Sequence, residues 1–390
     1  MRTRRGACYS CHAAEPASPE HRRKRRRTEV SPAVAPAGPG LAGDMFDELP
    51  DDLVVSILAG VASSAGSPAD LAGAMLTCKR FRALGQSKVV LARASPRCLA
   101  VRADAWSDDA HRFLQRCADA GNLEACYLLG MIRFYCLGGS RGSGAALMAA
   151  AAVGGHREAL YSLAVIQFNG SGGGKDDRDL RAGAALCARA AALGHVDALR
   201  ELGHCLQDGY GVRRSVADGR RLLIQANARE LAAAASLLVR NGKAGTTRRQ
   251  RHACLLSDFG CRATAGEAHA ANRFLVDWFA SRPLGGGGDG AGTGGAAMMT
   301  GSADEEGAGG LRLCSQALCG RPETRRHEFR RCSVCGVVNY CSRACQALHW
   351  KMAHKAECTP MDRWLDVAAG GGGYPNAAGD VAMAVAAPAP

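Results

Sequence analysis

Eight cysteine and histidine residues near the end of the sequence have the types and the spacing of metal ligands. They form four pairs, and two to four residues separate the members of each pair: Cys314, Cys319, Cys332, Cys335, Cys341, Cys345, His354 and Cys358. Thiolates and imidazoles are the ligands that zinc prefers, and a short spacing lets one turn of chain supply two of them. Because four protein ligands close a structural zinc site, the four pairs predict two structural Zn²⁺ ions with no open position for a catalytic water.

The string from Tyr340 to Cys358 resembles a MYND zinc finger in the order and spacing of its cysteines and histidines. The resemblance implies an interleaved, cross-braced finger over residues 311–358, in which alternate pairs share one ion. One ion is then held by Cys314, Cys319, Cys341 and Cys345, and the other by Cys332, Cys335, His354 and Cys358. The first pair has four intervening residues where two are usual, which is expected to loosen the first turn without removing a ligand.

The same resemblance implies that the finger binds short proline-containing peptides of partner proteins. Gln346 and Trp350 match the positions that line the peptide groove, and the alternative for Trp350 is the small apolar core of the finger. His349 also matches a family position, but it is not needed as a ligand.

Two helices are predicted within residues 45–95. Pro50 suits a first helical turn because its missing N–H is not needed there, and two aspartates follow it at the positive end of the helix. The apolar residues of this helix are predicted to lie on one face: Leu53, Val54, Ile57 and Leu58. After a loop at Ala59–Gly66, Ser67 and Pro68 start a second helix, whose stripe is Leu71, Met75 and Cys78.

The ordered set Leu-Pro-x-x-Leu-x-x-x-Ile-Leu, Ser-Pro-x-Asp-Leu and Cys-Lys-Arg-Phe in this segment resembles an F-box. The resemblance implies docking to the Skp-one adaptor of a Skp–cullin–F-box ubiquitin ligase. By motif position, the contact residues are Leu49, Pro50, Leu53, Ile57 and Leu58. An ordinary helical hairpin is the alternative.

Residues 105–240 contain an internal repeat. The related strings are Ala120–Ala125, Val153–Ala159 and Leu193–Ala198, each followed by a glycine-rich turn, with an eroded fourth copy at Ala226–Val239. A period of this length predicts stacked helix–turn–helix units. The pattern resembles Sel-one-like repeats, relatives of the tetratricopeptide repeat, which implies a concave surface for protein partners; a plain spacer is the alternative. His156, His195 and His204 are expected to be isolated residues at packing or turn positions.

The remaining segments are assigned from their composition. Residues 1–43 are predicted to be a disordered basic region whose run Arg22–Arg27 indicates a nuclear localisation signal, a contact with a polyanion or a solvated tail. Residues 241–281 are predicted to add helices, 282–310 to be a flexible linker and 367–390 to be a disordered tail. The predicted fold class is mainly α: a small F-box helical module, an α-solenoid and a zinc-stabilised finger.

Bulk composition limits the location and the class of function. The 390 residues carry a net charge of +13 and 18 cysteines, and the first residues lack the apolar core of a secretory signal. The protein is therefore expected in a reducing compartment of the cell, which is the nucleus, the cytoplasm or both. In such a compartment, clustered cysteines are expected to act as metal ligands. No apolar run reaches the ~20 residues that a membrane span needs, so no membrane contact is predicted.

The order of F-box, repeats and finger resembles a group of plant F-box proteins. It favours a non-catalytic adaptor that docks through the F-box and recruits a protein target through the repeats, the finger or both. The alternative is a nuclear MYND-type scaffold or transcriptional co-regulator with no link to a ligase. An enzyme is disfavoured because no SET-like stretch accompanies the finger, and specific nucleic-acid binding is disfavoured because no recognition helix is evident.

Overall fold

The computed structural model describes residues 46, 48–240, 255–260, 268–282, 284 and 310–360. The chain divides into a unit of residues 1–49 and a larger unit of residues 50–390. The predicted basic region at 1–43, most of the linker at 282–310 and the tail at 367–390 lie outside the described residues. Within the described part, helices predominate, as predicted, and none of them is long and apolar enough to span a membrane.

The larger unit begins with four short helices: α1 (Asp51–Ser64), α2 (Pro68–Leu76), α3 (Lys79–Leu84) and α4 (Lys88–Ala92). The first helix starts directly after Pro50, close to its predicted start, but it ends at Ser64, within the segment Ala59–Gly66 that was predicted as a loop. Ala59 and Ala62 are fully buried there, so the apolar face extends for another turn. The predicted start of α2 is present as a capping box between Ser67 and Asp70.

The apolar residues of α1 do not share one face. Val54 and Leu58 are 0% and 1% exposed, whereas Leu53 and Ile57 are 48% and 45% exposed. Adjacent helical residues point about 100° apart, so the pairs at positions i and i+4 separate into an inner and an outer row. The prediction that Leu58 contacts an adaptor is therefore corrected, because its side chain is part of the core. Cys78 is likewise not on the α2 stripe: it is exposed and caps α3.

Three helical hairpins follow, as the repeat predicted: α5 (Asp108–Asp119) with α6 (Leu123–Tyr135), α7 (Arg141–Val153) with α8 (Arg157–Asn169), and α9 (Leu180–Ala192) with α10 (Val196–Asp208). Each hairpin turns at a glycine, Gly121, Gly155 or Gly194, with φ between +86° and +89°. Side chains other than glycine rarely adopt this conformation, so the glycine fixes the place where the chain reverses.

The eroded fourth copy is not a hairpin. α11 (Val216–Arg240) runs as one helix of 25 residues through the place where the other copies turn. The corresponding stretch, Ala228–Ala233, contains no glycine and consists of strong helix formers such as alanine, arginine, glutamate and leucine. The helix therefore continues where its predecessors reverse.

His156 and His195 lie at the turns, as expected, but they are not isolated, in contrast to the prediction. His156 and His195 cap α8 and α10 by accepting a backbone N–H at Nδ1. Since Nδ1 accepts, Nε2 carries the hydrogen, and it donates to a glutamate of the preceding copy: His156 to Glu124 at 3.0 Å and His195 to Glu158 at 2.6 Å. Burial opposes ionisation of the two carboxyl groups, but the histidine bonds outweigh it and lower both pKa values to about 2.

Glycines also set the distance between α6 and α7, and two of them allow a test. A Cβ added at Gly144 would lie 2.6 Å from the backbone nitrogen of Phe134, whereas one added at Gly142 of the same helix would meet nothing within 4 Å. We expect Gly144→Ala to lower the free energy of unfolding by about 1–3 kcal/mol through overpacking. Gly142→Ala should raise it by about 0.4–1 kcal/mol by restricting the unfolded chain. Urea denaturation of both variants checks this, and equal effects would contradict the close approach.

The remaining elements bring the C-terminal region against the repeats. α12 (Ala270–Ser281) packs on α6, and it is followed by strands β1 (Arg330–Arg331) and β2 (Asn339–Tyr340). The strands pair antiparallel, with Arg330 opposite Tyr340. The chain then forms α13 (Arg343–His349), a π-helical turn (Trp350–His354) and α14 (Lys355–Glu357).

Candidate metal centres

The eight predicted ligands form two groups of four in the structure. One group is Cys314, Cys319, Cys341 and Cys345, and the other is Cys332, Cys335, His354 and Cys358. Within each group, all the potential ligand atoms lie within 4.8 Å of one another. These are the two interleaved sets that the resemblance implied.

The distances fit a tetrahedral metal ion. A zinc ion with Zn–S bonds of about 2.3 Å holds its sulfur atoms roughly 3.8 Å apart. In the first group, the sulfur of Cys341 lies 3.6 Å from that of Cys319 and 3.5 Å from that of Cys345. In the second, the sulfurs of Cys332 and Cys358 are 3.9 Å apart. Each group supplies four thiolate or imidazole donors, which is a donor set suited to structural zinc.

Short local elements position these donors. Ser342 caps α13 by accepting the backbone N–H of Cys345, which fixes that ligand in the first helical turn. The unusual four-residue spacing of the first pair is closed by Gln316, whose side chain accepts the N–H of Leu318 and whose carbonyl accepts that of Cys319. The extra residues therefore form a hydrogen-bonded turn.

His349 lies beside the second group without belonging to it. Its Nδ1 is 3.0 Å from the hydroxyl of Tyr340, and its ring stacks on that of His354 at 5.3 Å. Tyr340 is fully buried. His349 therefore supports a ligand from outside the group, which agrees with its exclusion from the predicted ligand set.

The finger (residues 311–358) is docked on the helical repeats, an arrangement that the sequence did not reveal. Tyr161 donates to Ser342 at 3.1 Å, and Asn169 donates to the carbonyl oxygen of Cys341 at 2.8 Å. In the opposite direction, Arg321 of the finger donates a hydrogen bond to Ser162 of α8 at 2.8 Å. Since these contacts reach the ligand Cys341 and its neighbours, the metal centres are held directly against α8.

Charged groups continue this interface along α10 and α11. The buried carboxylate of Glu201 accepts the backbone N–H groups of Arg343 and Ala344, which begin α13. A carboxylate is favourable at this helix end because the unpaired N–H groups are positively polarised. Further along, Lys351 donates to Glu230 at 2.9 Å. The finger and the repeats thus form one body within the larger unit.

Arg321 is a buried cation of this interface. Its side chain is 4% exposed, and one guanidinium nitrogen lies 3.8 Å from the sulfur of Cys319. Burial opposes its charge, but the thiolates of Cys319 and Cys341 outweigh that effect and raise the pKa of Arg321 well above its usual value. The arginine would therefore offset the negative charge that four thiolates leave on a divalent ion bound by this group.

The two residues assigned to peptide binding are half-buried, and one of them is covered within the chain. The ring of Trp350 lies 5.7 Å from the ring of Phe259. Asn227 holds the segment 255–260 in place by donating to the carbonyl oxygens of Leu255 and Ser257. No described element covers Gln346 in the same way. The peptide-contact roles of Gln346 and Trp350 stay predictions.

Comparison with known proteins gives two family matches within the chain and a similar solved structure. The family described as plant tetratrico peptide repeats matches residues 99–187, and the MYND finger family matches residues 314–358. A crystal structure of a Sel1 repeat protein from Oxalobacter formigenes is similar over 30% of this chain and 86% of its own, with 24% identity and a TM-score of 0.28.

Two curated relatives cover nearly the whole chain. An F-box protein of Arabidopsis thaliana is 58% identical over 364 residues, which are 90% of this chain and 90% of the relative. A second F-box protein of Arabidopsis thaliana is 55% identical over 326 residues, which are 83% of this chain and 88% of the relative. Identity at this level over this length shows the family. The chain, which carries plant tetratrico peptide repeats and a MYND finger, therefore belongs to the F-box proteins.

Proposed function

We propose that the protein is a non-catalytic adaptor subunit of a Skp–cullin–F-box ubiquitin ligase. It would dock to the Skp-one adaptor through α1 and hold a protein target on the body formed by the repeats and the finger. Its contribution to the reaction is then to raise the concentration of target lysines near the ubiquitin donor. Family membership supports the docking role, and the MYND finger supports interaction with proteins.

The outer row of α1 is the observation that carries this proposal. Leu53 and Ile57 lie one helical turn apart, and each exposes nearly half of its side chain. Pro50, which precedes the helix, is also exposed. Adjacent exposed apolar side chains on a helix are a means of binding a partner's groove. Leu58 is excluded from this surface by its burial, and Leu49 is half-buried within the unit of residues 1–49.

Capture of the Skp-one adaptor by the full-length chain tests the docking role. We expect Leu53→Asp/Ile57→Asp to abolish capture, since removing central apolar anchors commonly costs on the order of 2 kcal/mol or more each. Val153→Asp is the matched control because Val153 is a helical residue of α7 that is 81% exposed. Thermal melts of all variants establish folding. A folded wild-type chain that does not capture the adaptor would contradict the proposal.

The finger is proposed to hold two structural zinc ions in the two groups of ligands. Each ion would supply folding energy and no Lewis acid for catalysis, because its four ligands come from the protein. We also propose that the protein is located in the nucleus, the cytoplasm or both. The nuclear part of this proposal comes from the basic run Arg22–Arg27, which lies outside the described residues. Imaging of the full chain beside a variant with that run replaced by alanines tests the nuclear part.

A further inference from the structure

A short segment outside the finger lies against one of the two residues that are predicted to contact a peptide. The ring of Phe259 is 5.7 Å from the ring of Trp350, and the two ring planes are inclined by 35°. Phe259 belongs to residues 255–260, which we call the covering segment. A peptide side chain that packed on this side of Trp350 would have to take the place of Phe259.

The covering segment is attached to the repeats through its backbone. Asn227 of α11 donates to the carbonyl oxygens of Leu255 and Ser257, at 3.0 Å and 2.7 Å. Arg200 of α10 donates to the carbonyl oxygen of Asp258 at 3.3 Å. The two donor residues are only 1% and 2% exposed, so they are fixed within the helical body. The repeats therefore help to set where the segment lies.

The side chains of the covering segment contribute little to its attachment. None of its five side chains is buried, and those of Leu256 and Phe259 are 80% and 40% exposed. Regions that bury little apolar surface open locally at a low cost in free energy. We therefore expect the segment to leave Trp350 without unfolding the rest of the chain.

The contact between the covering segment and the finger is also loosely packed. A cavity of about 380 Å³ lies between them, and its walls include Phe259, Trp350, Ala353 and Ala356. A volume of this size falls within the usual range of ligand sites, whereas protein cores leave few voids larger than a water molecule. The two surfaces thus touch at the aromatic rings without forming a continuous core.

We propose that the covering segment is an internal occupant of the peptide site of the finger, and that a partner peptide displaces Phe259 from Trp350. The apparent affinity for the peptide is then reduced by the fraction of molecules in which Trp350 is uncovered. Proline-containing segments suit this exchange, because they dock on aromatic side chains. The inference rests on the proposed function, since it concerns how the finger's contact with a protein target is regulated.

Fluorine NMR of the full-length, zinc-loaded chain labelled with 5-fluorotryptophan tests the cover itself. The chain has four tryptophans, and Trp350→Phe assigns the resonance of Trp350. We expect Phe259→Ala to shift this resonance, because the neighbouring ring is removed. Leu256→Ala is the matched control, since Leu256 is 80% exposed in the same segment, and it should leave the resonance in place. An unshifted resonance in Phe259→Ala would overturn the proposal.

Peptide binding tests the displacement. The probes are fluorescein-labelled Gly-Pro-Pro-Leu-Pro-Pro-Gly and a counterpart with alanine in place of every proline, followed by fluorescence anisotropy. We expect Phe259→Ala to bind the proline peptide about tenfold more tightly than the wild type, which corresponds to roughly one uncovered molecule in ten in the wild type. Asn227→Ala, which removes two bonds to the segment, should also tighten binding. Leu256→Ala should bind like the wild type.

The other outcomes of this experiment contradict the proposal in different ways. Weaker binding by Phe259→Ala would show that the ring is part of the peptide site, and equal binding would show that it does not compete. Absence of binding by Phe259→Ala, with folding established by thermal melts, would show that uncovering Trp350 exposes no peptide site. Capture of the Skp-one adaptor is measured on the same variants and should not change, so failure of the cover and failure of the docking role are distinguishable.

Discussion

Replacing Cys341 with alanine is expected to remove one of two bound zinc ions and to unfold the finger. So small a module has little apolar core, and a structural zinc contributes on the order of 10–16 kcal/mol to its folding. Cys341 also receives a hydrogen bond from Asn169 of α8, so loss of the finger removes partners from the repeats. We therefore expect the melting temperature of the helical part to fall by roughly 10 °C or more.

Zinc content by mass spectrometry and thermal melts by circular dichroism measure the two effects. Cys78→Ser is the matched control, because Cys78 is outside both groups and acts as a helix cap, where serine is favourable. It should keep both the zinc and the melting temperature. An unchanged zinc content in Cys341→Ala would refute the ligand assignment. Loss of zinc with unchanged melting of the helices would refute the coupling between finger and repeats.

Replacing Arg321 with methionine is expected to lower the free energy of unfolding by about 3–5 kcal/mol. This is the usual cost of removing one partner from a buried set of charges, because the remaining charge has no compensation. Here the thiolates of Cys319 and Cys341 lose a buried cation, and Ser162 loses a donor. Methionine has a similar length, so the loss of charge dominates over the loss of packing.

Urea denaturation followed by tryptophan fluorescence measures this change, with zinc present in excess. The control is Arg326→Met, which removes an exposed arginine from the same segment. Surface substitutions of this kind usually change stability by no more than about 0.5 kcal/mol. Equal midpoints for the two variants would show that Arg321 does not stabilise the docked finger.

Local features of the fold could be predicted from the sequence. The ligand pairs are separated by two to four residues, so the backbone alone brings the members of each pair together. The hairpins depend on single glycines, such as Gly155, whose positive φ is a property of the residue type. The start of α2 depends on Ser67 and Asp70, which are three residues apart. In each case the deciding interaction lies within one turn of chain.

Features that depend on neighbouring segments could not be predicted. The sequence shows apolar residues at positions 53, 54, 57 and 58, but which pair faces inward depends on where the other helices pack. The histidines at the repeat turns read as isolated because their glutamate partners are 32 and 37 residues away. The ring contact between Trp350 and Phe259 could not be predicted for the same reason, because the two residues belong to separate segments of the chain.

The sequence by itself determined the predominance of helices, the three hairpins of the repeat and the two groups of four candidate ligands, because short-range spacing and residue chemistry specify them. Only the tertiary structure decided that the finger docks on the repeats, since the contact between Ser162 and Arg321 joins residues 159 positions apart. Such contacts depend on the complementary shape and charge of two folded surfaces.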